Sequence, residues 1–323
     1  MILGIDTSCY TTSVALMNQE SRLTCDMRRL LAVEKGARGL RQSDAVYAHT
    51  QNLPQLLAEL FCQHPAQQLT AIAVSAKPRP VDNSFMPVFT SGYGVARILA
   101  AALQIPLLSF SHQEGHLAAA LWSAGLGWQE PFLALHLSGG TGEILQVEPC
   151  CNPVPSPLPH EYAPALYRIG IIGDTDLPPG QFVDRIGVAL GMDFPAGAQL
   201  DALATTATRR DFRLSGSVTG THISFSGPES AAQRAIASGV EPSQIAAAVF
   251  DNIGKSLAKA IRKAREISGI KKVLLMGGVA ASQNLRRYLE QEGVNFASAK
   301  YSSDNAAGTA AMGVNIINNK LLR

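Results

Sequence analysis

Residues 132–147 read FLALHLSGGTGEILQV, two short apolar runs joined by a turn of small and hydroxyl-bearing residues. FLALHLS (132–138) and EILQV (143–147), bounded by GGTG, have the pattern of a strand–turn–strand hairpin. The same plan stands at the start of the chain, where ILGID (2–6) and SVALMN (13–18) flank the hydroxyl-rich turn TSCYTT. Each hairpin opens a series of alternating strand and helix signals. After the first come a helical run in AVYAHTQNLPQLLAELF, with Val46, Leu53, Leu57 and Leu60 near helical spacing, and a buried strand AIAVS (71–75). A glycine-started helix GYGVARILAAAL (92–103) and a strand IPLLSF (105–110) follow, with the proline-studded loop KPRPVDNSFMPVF before them. After the second hairpin, PCCNPVPSPLP reads as a proline-rich loop, and QFVDRIGVALG and the region 229–268 as helical. In the latter, Ile253, Leu257, Ile261, Ala264 and Ile267 line one face. KKVLLMGGVAASQNLRRYLEQE is a strand, a glycine turn and a helix, and SSDNAAGTAAMGVNII a terminal helix begun by Ser303 or Asp304. The repeated plan predicts a duplicated α/β fold with a cleft between its halves, although a mixed α/β chain without duplication shares many of these signals.

A chain of 323 residues can bury two sizeable cores, so two domains are expected. Its net charge of +2 argues against a strong, general attraction to nucleic acid. The cationic stretches 255–272 and 209–213 (RRDFR) read first as solvated helix faces, with RNA contact as the lesser reading. Cysteines 9, 25, 62, 150 and 151 form no C-x-x-C pair and suggest no disulfide framework, which fits a reducing cytoplasm. MILGIDTS lacks the make-up of a signal peptide and no apolar run reaches the length of a membrane span, so a soluble chain is expected.

The heptad SHQEGHL (111–117) contains a capping box, Ser111 followed three residues later by Glu114, which starts a helix there. On that helix His112 and His116 share a face one turn apart, as two metal ligands require. Glu114 points away from them, and the position that holds the base in an H-E-x-x-H peptidase is Gln113. A metallopeptidase is therefore excluded on geometry. By itself the pair fits a metal site or two solvated histidines equally well.

Three turns rich in glycine or hydroxyls follow strands: DTSCYTTS (6–13), SGGTGE (138–143) and GGVAASQN (277–284). Small residues let backbone N–H groups approach phosphate oxygens, so three such turns across both halves favour a nucleotide in the cleft. No G-x-x-x-x-G-K-[ST] or G-x-G-x-x-G is present, which excludes those two modes of binding it. Asp184, alone on an apolar helix, is either a capping aspartate or an acceptor for ribose hydroxyls. Asp304 is either an N-cap or the carboxylate that completes a His–His–Asp site. Asp6 ends the first strand, where a carboxylate could hold a nucleotide's magnesium or a substrate ammonium.

Taken together, LGIDTSC, SHQEGHLAA, FLALHLSGGTGEIL, GQFVDRIGVALGMDFPAG, THISFSG, LLMGGVAASQNLR and SSDNAAGTAAMG resemble, in order, the blocks of the tRNA N6-adenosine threonylcarbamoyltransferase family (TsaD-type proteins, once described as glycoproteases). The resemblance implies a duplicated actin/Hsp70-like (ASKHA) fold, two lobes around a nucleotide cleft. The lobes would be residues 1–111 plus 304–323 and residues 112–303. It implies transfer of a threonylcarbamoyl group from an adenylate to N6 of adenosine in a tRNA anticodon loop, assisted by one iron or zinc ion on His112, His116 and Asp304. His136, Leu137, Ser138, Gly139 and Gly140 would line the substrate pocket. Asp184 and Gly197 would contact the nucleoside, with Gly277, Gly278 and Ser282 at its border, and the nucleotide would be ATP-derived, with or without magnesium. Asp6, Thr11 and Thr141 would be the catalytic positions, tRNA the substrate, and other proteins of the modification pathway the partners. The chain departs from the family's pattern where Tyr10 and Thr11 replace an acidic pair, Thr141 a histidine, Gln181 an acidic residue and Ser282 an asparagine, and where 77–91 replaces a short glycine–proline loop. These departures make a non-catalytic scaffold or a carbamoyltransferase with another acceptor the rival readings.

Overall fold

A computed structural model of the chain describes residues 1–8, 10–32, 40–155 and 160–319. Cys9 of the first turn, residues 156–159 of the proline-rich stretch and residues 320–323 of the expected first lobe lie outside the described residues. β1 (Ile2–Ser8), β2 (Thr11–Met17) and β3 (Leu23–Leu30) lead to α1 (Gln42–Gln63), β4 (Ala71–Lys77), α2 (Phe89–Leu103), β5 (Leu107–Ser111) and α3 (His112–Ser123). A second series runs β6 (Phe132–Leu137), β7 (Gly142–Pro155), β8 (Glu161–Asp174), α4 (Pro179–Ala189), α5 (Gly197–Thr205) and a small hairpin of β9 (Ser217–Thr219) and β10 (His222–Ser224). It continues through α6 (Ser226–Ala237), α7 (Pro242–Ser268), β11 (Val273–Met276), α8 (Gln283–Leu289) and β12 (Val294–Phe296), and α9 (Ala307–Asn318) ends the chain's regular structure.

The chain divides into two compact units, Met1–Trp128 with Pro149–Arg168 and Ser303–Arg323, and Gln129–Glu148 with Ile169–Ser302. In the first, β2 lies antiparallel between β1 and β3, β4 adds parallel to the other side of β1, and β5 parallel to β4. In the second, β6 pairs antiparallel with β7, β11 adds parallel to the other side of β6, and β12 parallel to β11. Counting each unit's own strands, with β8 as the third of the second, both read 3-2-1-4-5. That is the duplication expected from the two hairpins.

β1 and β2 are buried along their whole length, because helices cover both faces. On one face Leu3, Ile5, Val14 and Leu16 pack with Leu53, Leu57 and Leu60 of α1 and Ala96 and Ala100 of α2. On the other, α9 comes so close that a Cβ on Gly4 would lie 2.4 Å from the Ala306 carbonyl oxygen. The second unit's core centres on α7, whose Ile253, Leu257 and Ile261 are fully buried.

Four expectations are corrected. Ile267, in the last turn of α7, is 59% exposed, since the apolar stripe ends at Ala264. The stretch that opens PCCNPVPSPLP is strand through Pro155 rather than loop. Prolines at 149, 153 and 155 occupy alternate positions, so their missing donors fall along one edge of the strand, and pairing with β6 already ends at Val147. α9 begins at Ala307, with no side-chain cap from Ser303 or Asp304. Finally, α3 belongs with residues 1–111 rather than with the second lobe. It packs on α9, where the absence of a side chain at Gly308 admits the Gly115 carbonyl oxygen to 2.0 Å from where a Cβ would stand.

Candidate metal centre and substrate cavity

Ser111 ends β5 and caps α3. Its hydroxyl accepts from the Glu114 amide (3.2 Å) and donates to Glu114 Oε2 (2.7 Å), while the Ser111 amide donates to the same oxygen (2.9 Å). Glu114 Oε1 accepts from the Leu166 amide at 3.4 Å, so both carboxylate oxygens are engaged in structure. Burial raises the pKa of Glu114 despite these bonds. The helix so anchored brings the Nε2 atoms of His112 and His116 to 3.0 Å from each other.

Asp304 comes from the far end of the chain. Asn305 performs the local work at the start of α9, accepting from the Gly308 amide (3.2 Å), and the Ala306 amide donates to Ser13 Oγ (2.8 Å). Asp304 is thereby left to face the histidines, with Oδ1 at 3.3 Å from His116 Nε2 and 3.5 Å from His112 Nε2. Asp6, only 1% exposed, accepts from the Ser8 amide (3.0 Å) with one oxygen and holds His112 Nδ1 at 2.8 Å with the other. An ionised carboxylate only accepts, so Nδ1 keeps its proton toward Asp6, and it is Nε2 that, once it gives up its own proton, turns a lone pair to the point shared with His116 and Asp304.

Three donor atoms separated by 3.0, 3.3 and 3.5 Å match the edges of a tetrahedron with ~2.0–2.1 Å metal bonds, which are roughly 3.3 Å long. The residues therefore fit a first-row divalent ion. They are the one group among the described residues whose donor set can hold a metal, and they leave coordination positions open. Burial opposes charge on all three ionised partners, yet charge pairing wins. The Asp6 carboxylate lifts the His112 pKa well above the usual histidine value. Burial likewise opposes, and hydrogen bonds from His112 and His116 outweigh it in holding Asp304 well below the usual carboxylate range. Asp6 is lowered in the same way by His112.

The second unit contains a cavity of about 830 Å³, lined by Gly139, Asp184, Gly197, Asp201, Gly278 and Ser282 together with the apolar Val183 and Phe250. Its walls depend on close backbone approach. A Cβ on Gly180 would lie 2.6 Å from the Gly139 amide nitrogen, and Gly277, at φ +91°, would place one 2.3 Å from the Leu137 carbonyl oxygen. Ser138 closes the β6–β7 turn: its hydroxyl accepts from Gly140 (3.2 Å) and Thr141 (3.0 Å), and its amide donates to the Thr141 carbonyl (2.8 Å). Asp184 Oδ1 accepts from the Ala196 amide at 2.9 Å, fixing the loop before α5, while its other oxygen faces Gly139.

Of the residues singled out in the sequence, Asp6, His112, His116 and Asp304 thus meet in the first unit. Gly139, Asp184, Gly197, Gly278 and Ser282 meet in the second. Leu137 belongs to the apolar core, and His136 sits one position earlier on β6, paired with Glu143 and Met276. Neither lines the cavity, and nor does the side of Gly140, Thr141 or Gly277. Thr11 is buried at the start of β2 in register with Ser8, in the other unit from Thr141. Asp201 went unnoticed. It accepts from Ser282 Oγ (2.5 Å) and from the amides of Gln283 (2.9 Å) and Asn284 (3.3 Å), and so clamps the start of α8 to α5 beside the cavity. The lone acid in the apolar run GAQLDALAT was its only signal.

The family model for "tRNA N6-adenosine threonylcarbamoyltransferase" matches residues 33–150 and 162–311. Curated relatives of that name include one from Neorickettsia sennetsu, 27% identical over 95% of this chain and 91% of the relative. Another, from Archaeoglobus fulgidus, is 26% identical over 97% of this chain and 90% of its own. Among solved structures, component A of (R)-2-hydroxyglutaryl-CoA dehydratase from Acidaminococcus fermentans superposes with a TM-score of 0.55 at 15% identity, covering 100% of this chain and 99% of its own. A likeness at that identity speaks for the fold alone, and the fold is the duplicated actin/Hsp70-like α/β class. With the family model matched along most of its length, this chain belongs to the tRNA N6-adenosine threonylcarbamoyltransferase family.

Proposed function

We propose that the protein transfers a threonylcarbamoyl group from threonylcarbamoyl-adenylate to N6 of an adenosine in a tRNA anticodon loop. The observation that carries this reading is the convergence of His112, His116 and Asp304 on one point, with Asp6 behind His112, in a chain of this family. These three residues would hold one divalent ion, iron or zinc, which when bound supplies Lewis acidity to an oxygen of the activated donor. Asp6 fixes the tautomer of His112 and keeps the donor set in register. Asp184, Gly197, Gly278 and Ser282 receive the adenylate in the cavity, whose apolar wall of Val183 and Phe250 suits a base. The backbone turn 138–141 is closed on itself by Ser138, which takes the amides of Gly140 and Thr141, and it brings Gly139 to the cavity wall beside the donor.

In the reaction the N6 nitrogen bonds to the carbamoyl carbon, the bond from that carbon to the phosphate oxygen breaks, and AMP leaves. Thr11 and Thr141 are hydroxyls and take up no proton at neutral pH, so the N6 proton passes to the departing phosphate or to solvent. The transfer takes place in the cytoplasm with accessory proteins of the pathway. No helix among the described residues is long and apolar enough to cross a membrane.

A second reading, a metal- and nucleotide-binding scaffold or a carbamoyltransferase with another acceptor, draws on Thr11, whose side chain is buried in β2. The test is a transfer assay with the full chain, zinc or ferrous iron, threonylcarbamoyl-adenylate and unmodified tRNA, in the presence of the pathway's partner proteins. The expected product is threonylcarbamoyladenosine in the tRNA. Hydrolysis of the adenylate without modified tRNA would support the other acceptor, and no consumption of it the scaffold.

A further inference from the structure

A second cavity of about 600 Å³ lies in the second unit between α7 and α8, away from the glycine turns. One stripe of α7 supplies Lys255, Lys259 and Arg262, at helical spacings of four and three, with Asp251 one turn earlier. Arg287 comes from α8, Arg210 from the segment before β9, and Glu292 follows α8. The two helices can approach because Gly254 has no side chain, and a Cβ there would lie 2.8 Å from Cγ of Tyr288.

Five cations and two carboxylates line this cavity, a surplus of three positive charges in a chain whose whole net charge is +2. The remainder of the protein thus carries a net charge of −1, so the cavity's surplus exceeds that of the whole chain. Arg210 pairs with Asp251 (2.8 Å), Arg262 pairs with Glu292, and Lys259 donates to the Val218 carbonyl (3.1 Å). Lys255 and Arg287, both exposed and on opposite helices, make no ion pair among the described residues. A solvated helix face balances its charges, whereas this cavity holds cations in excess and leaves two of them uncommitted.

The lining identifies the anion. It contains no glycine turn and no cradle of backbone amides, the parts that hold a small nucleotide's phosphates. It offers long, exposed cationic side chains, which is how proteins contact the phosphodiester backbone of a nucleic acid. Its position agrees. Ser282 and Gln283 line the substrate cavity and Asn284 the cationic one, so a single stretch, clamped by Asp201, forms a wall of both. We propose that the α7–α8 cavity binds the RNA phosphate backbone and seats tRNA beside the substrate cavity. This rests on the reading that tRNA is the substrate.

The experiment is fluorescence anisotropy of labelled unmodified tRNA titrated with the full metal-loaded chain across a salt series. It compares wild type, Lys255→Glu/Arg287→Glu and a control reversal in the first unit, Arg22→Glu, with thermal unfolding run on each. The double reversal is expected to weaken tRNA binding about 10-fold or more and to reduce the salt slope by about 2, one for each phosphate that is no longer neutralised. The control should stay within about twofold, because a single exposed charge away from the footprint acts only through screened, long-range attraction. A milder pair, Lys255→Gln/Arg287→Gln, covers the case in which the reversal unfolds the protein and is expected to give the same slope change. Double variants that bind tRNA like the control would overturn the site while leaving the proposed reaction intact. With inorganic pyrophosphate titrated into the same proteins by calorimetry, variants that lose pyrophosphate binding but keep tRNA binding would overturn it in favour of a small-anion site. A wild-type chain that binds no tRNA would overturn both the site and the tRNA reading.

Discussion

Gly308→Ala tests how the crossing of α3 and α9 sets the metal centre. The added methyl would stand 2.0 Å from the Gly115 carbonyl oxygen, 2.7 Å from the Ala119 amide nitrogen and 2.9 Å from Ala119 Cβ. A carbon and a carbonyl oxygen approach no closer than about 3.3 Å, so the two helices must part by roughly 1.3 Å. All three opposing atoms belong to α3, and two are backbone, so no side chain can swing away. Overpacking of this kind costs about 1–3 kcal/mol, and the three simultaneous clashes put this case near the upper end. For a unit of this size that is a fall in Tm of about 4–10 °C. The second consequence is the more specific. α3 carries both histidines, and Asp304 lies four residues before Gly308 on the other side of the crossing. Separations of 3.3 and 3.5 Å between Asp304 and the histidines would widen past the ~0.2 Å tolerance of a coordination site. Metal affinity should fall about 10-fold or more. The assay is thermal unfolding with and without zinc, together with zinc titration against a chromogenic chelator. Gly94→Ala is the control, since a Cβ there meets nothing within 4 Å and it lies inside α2. It should stabilise by about 0.5–1 kcal/mol, the helix preference for alanine over glycine. Gly308→Ala with wild-type Tm and wild-type zinc affinity would refute the reasoning.

Further expectations follow from the same geometry. Asp6→Asn keeps the shape but removes the charge that fixes His112, and zinc affinity should drop about 10–100-fold with the fold intact, as read by competition with a chelator. Asp201→Ala leaves Ser282, Gln283 and Asn284 without their acceptor. It should cost about 1.5–3 kcal/mol by denaturant unfolding and weaken binding of an adenylate analogue in calorimetry. Asp176 accepts from the Phe225 amide (2.7 Å) and Ser224 Oγ (2.7 Å), and these bonds outweigh burial to lower its pKa. Its folded value therefore lies below its unfolded one. The stability it confers should be fully present above about pH 4 and vanish as pH falls through the folded value. Urea unfolding of wild type and Asp176→Ala should thus differ from neutral pH down to mildly acidic pH and converge in strong acid.

The parts of the fold legible in the sequence are those governed by local rules. Hairpins announce themselves by short apolar runs around small turns, and Ser111–Glu114 by a box whose two bonds close within one helical turn. The start of α9 misled because an aspartate near a helix start normally caps it. Here Asn305 serves the start of the helix, and tertiary pairing with His112 and His116 claims Asp304. The part of β7 beyond Val147, and β8, are not legible because prolines ordinarily break strands; those of β7 stand at alternate positions along one edge of the strand. Leu137 shows the limit of a motif: the block containing it borders the cavity, yet its side chain points into the core. Asp201 was invisible for a different reason. Its partners lie more than eighty residues along the chain, and nothing in a nine-residue helix reports them.

The central claim is most directly tested by nucleoside mass spectrometry of tRNA from cells that lack their own threonylcarbamoyltransferase and express this chain, intact or as His112→Ala. Threonylcarbamoyladenosine is expected with the intact chain and is expected to be lost or sharply reduced with the variant. Its absence with the intact chain, soluble, metal-loaded and supplied with its partner proteins, would contradict the assignment, and equal amounts with His112→Ala would contradict the role of the metal centre.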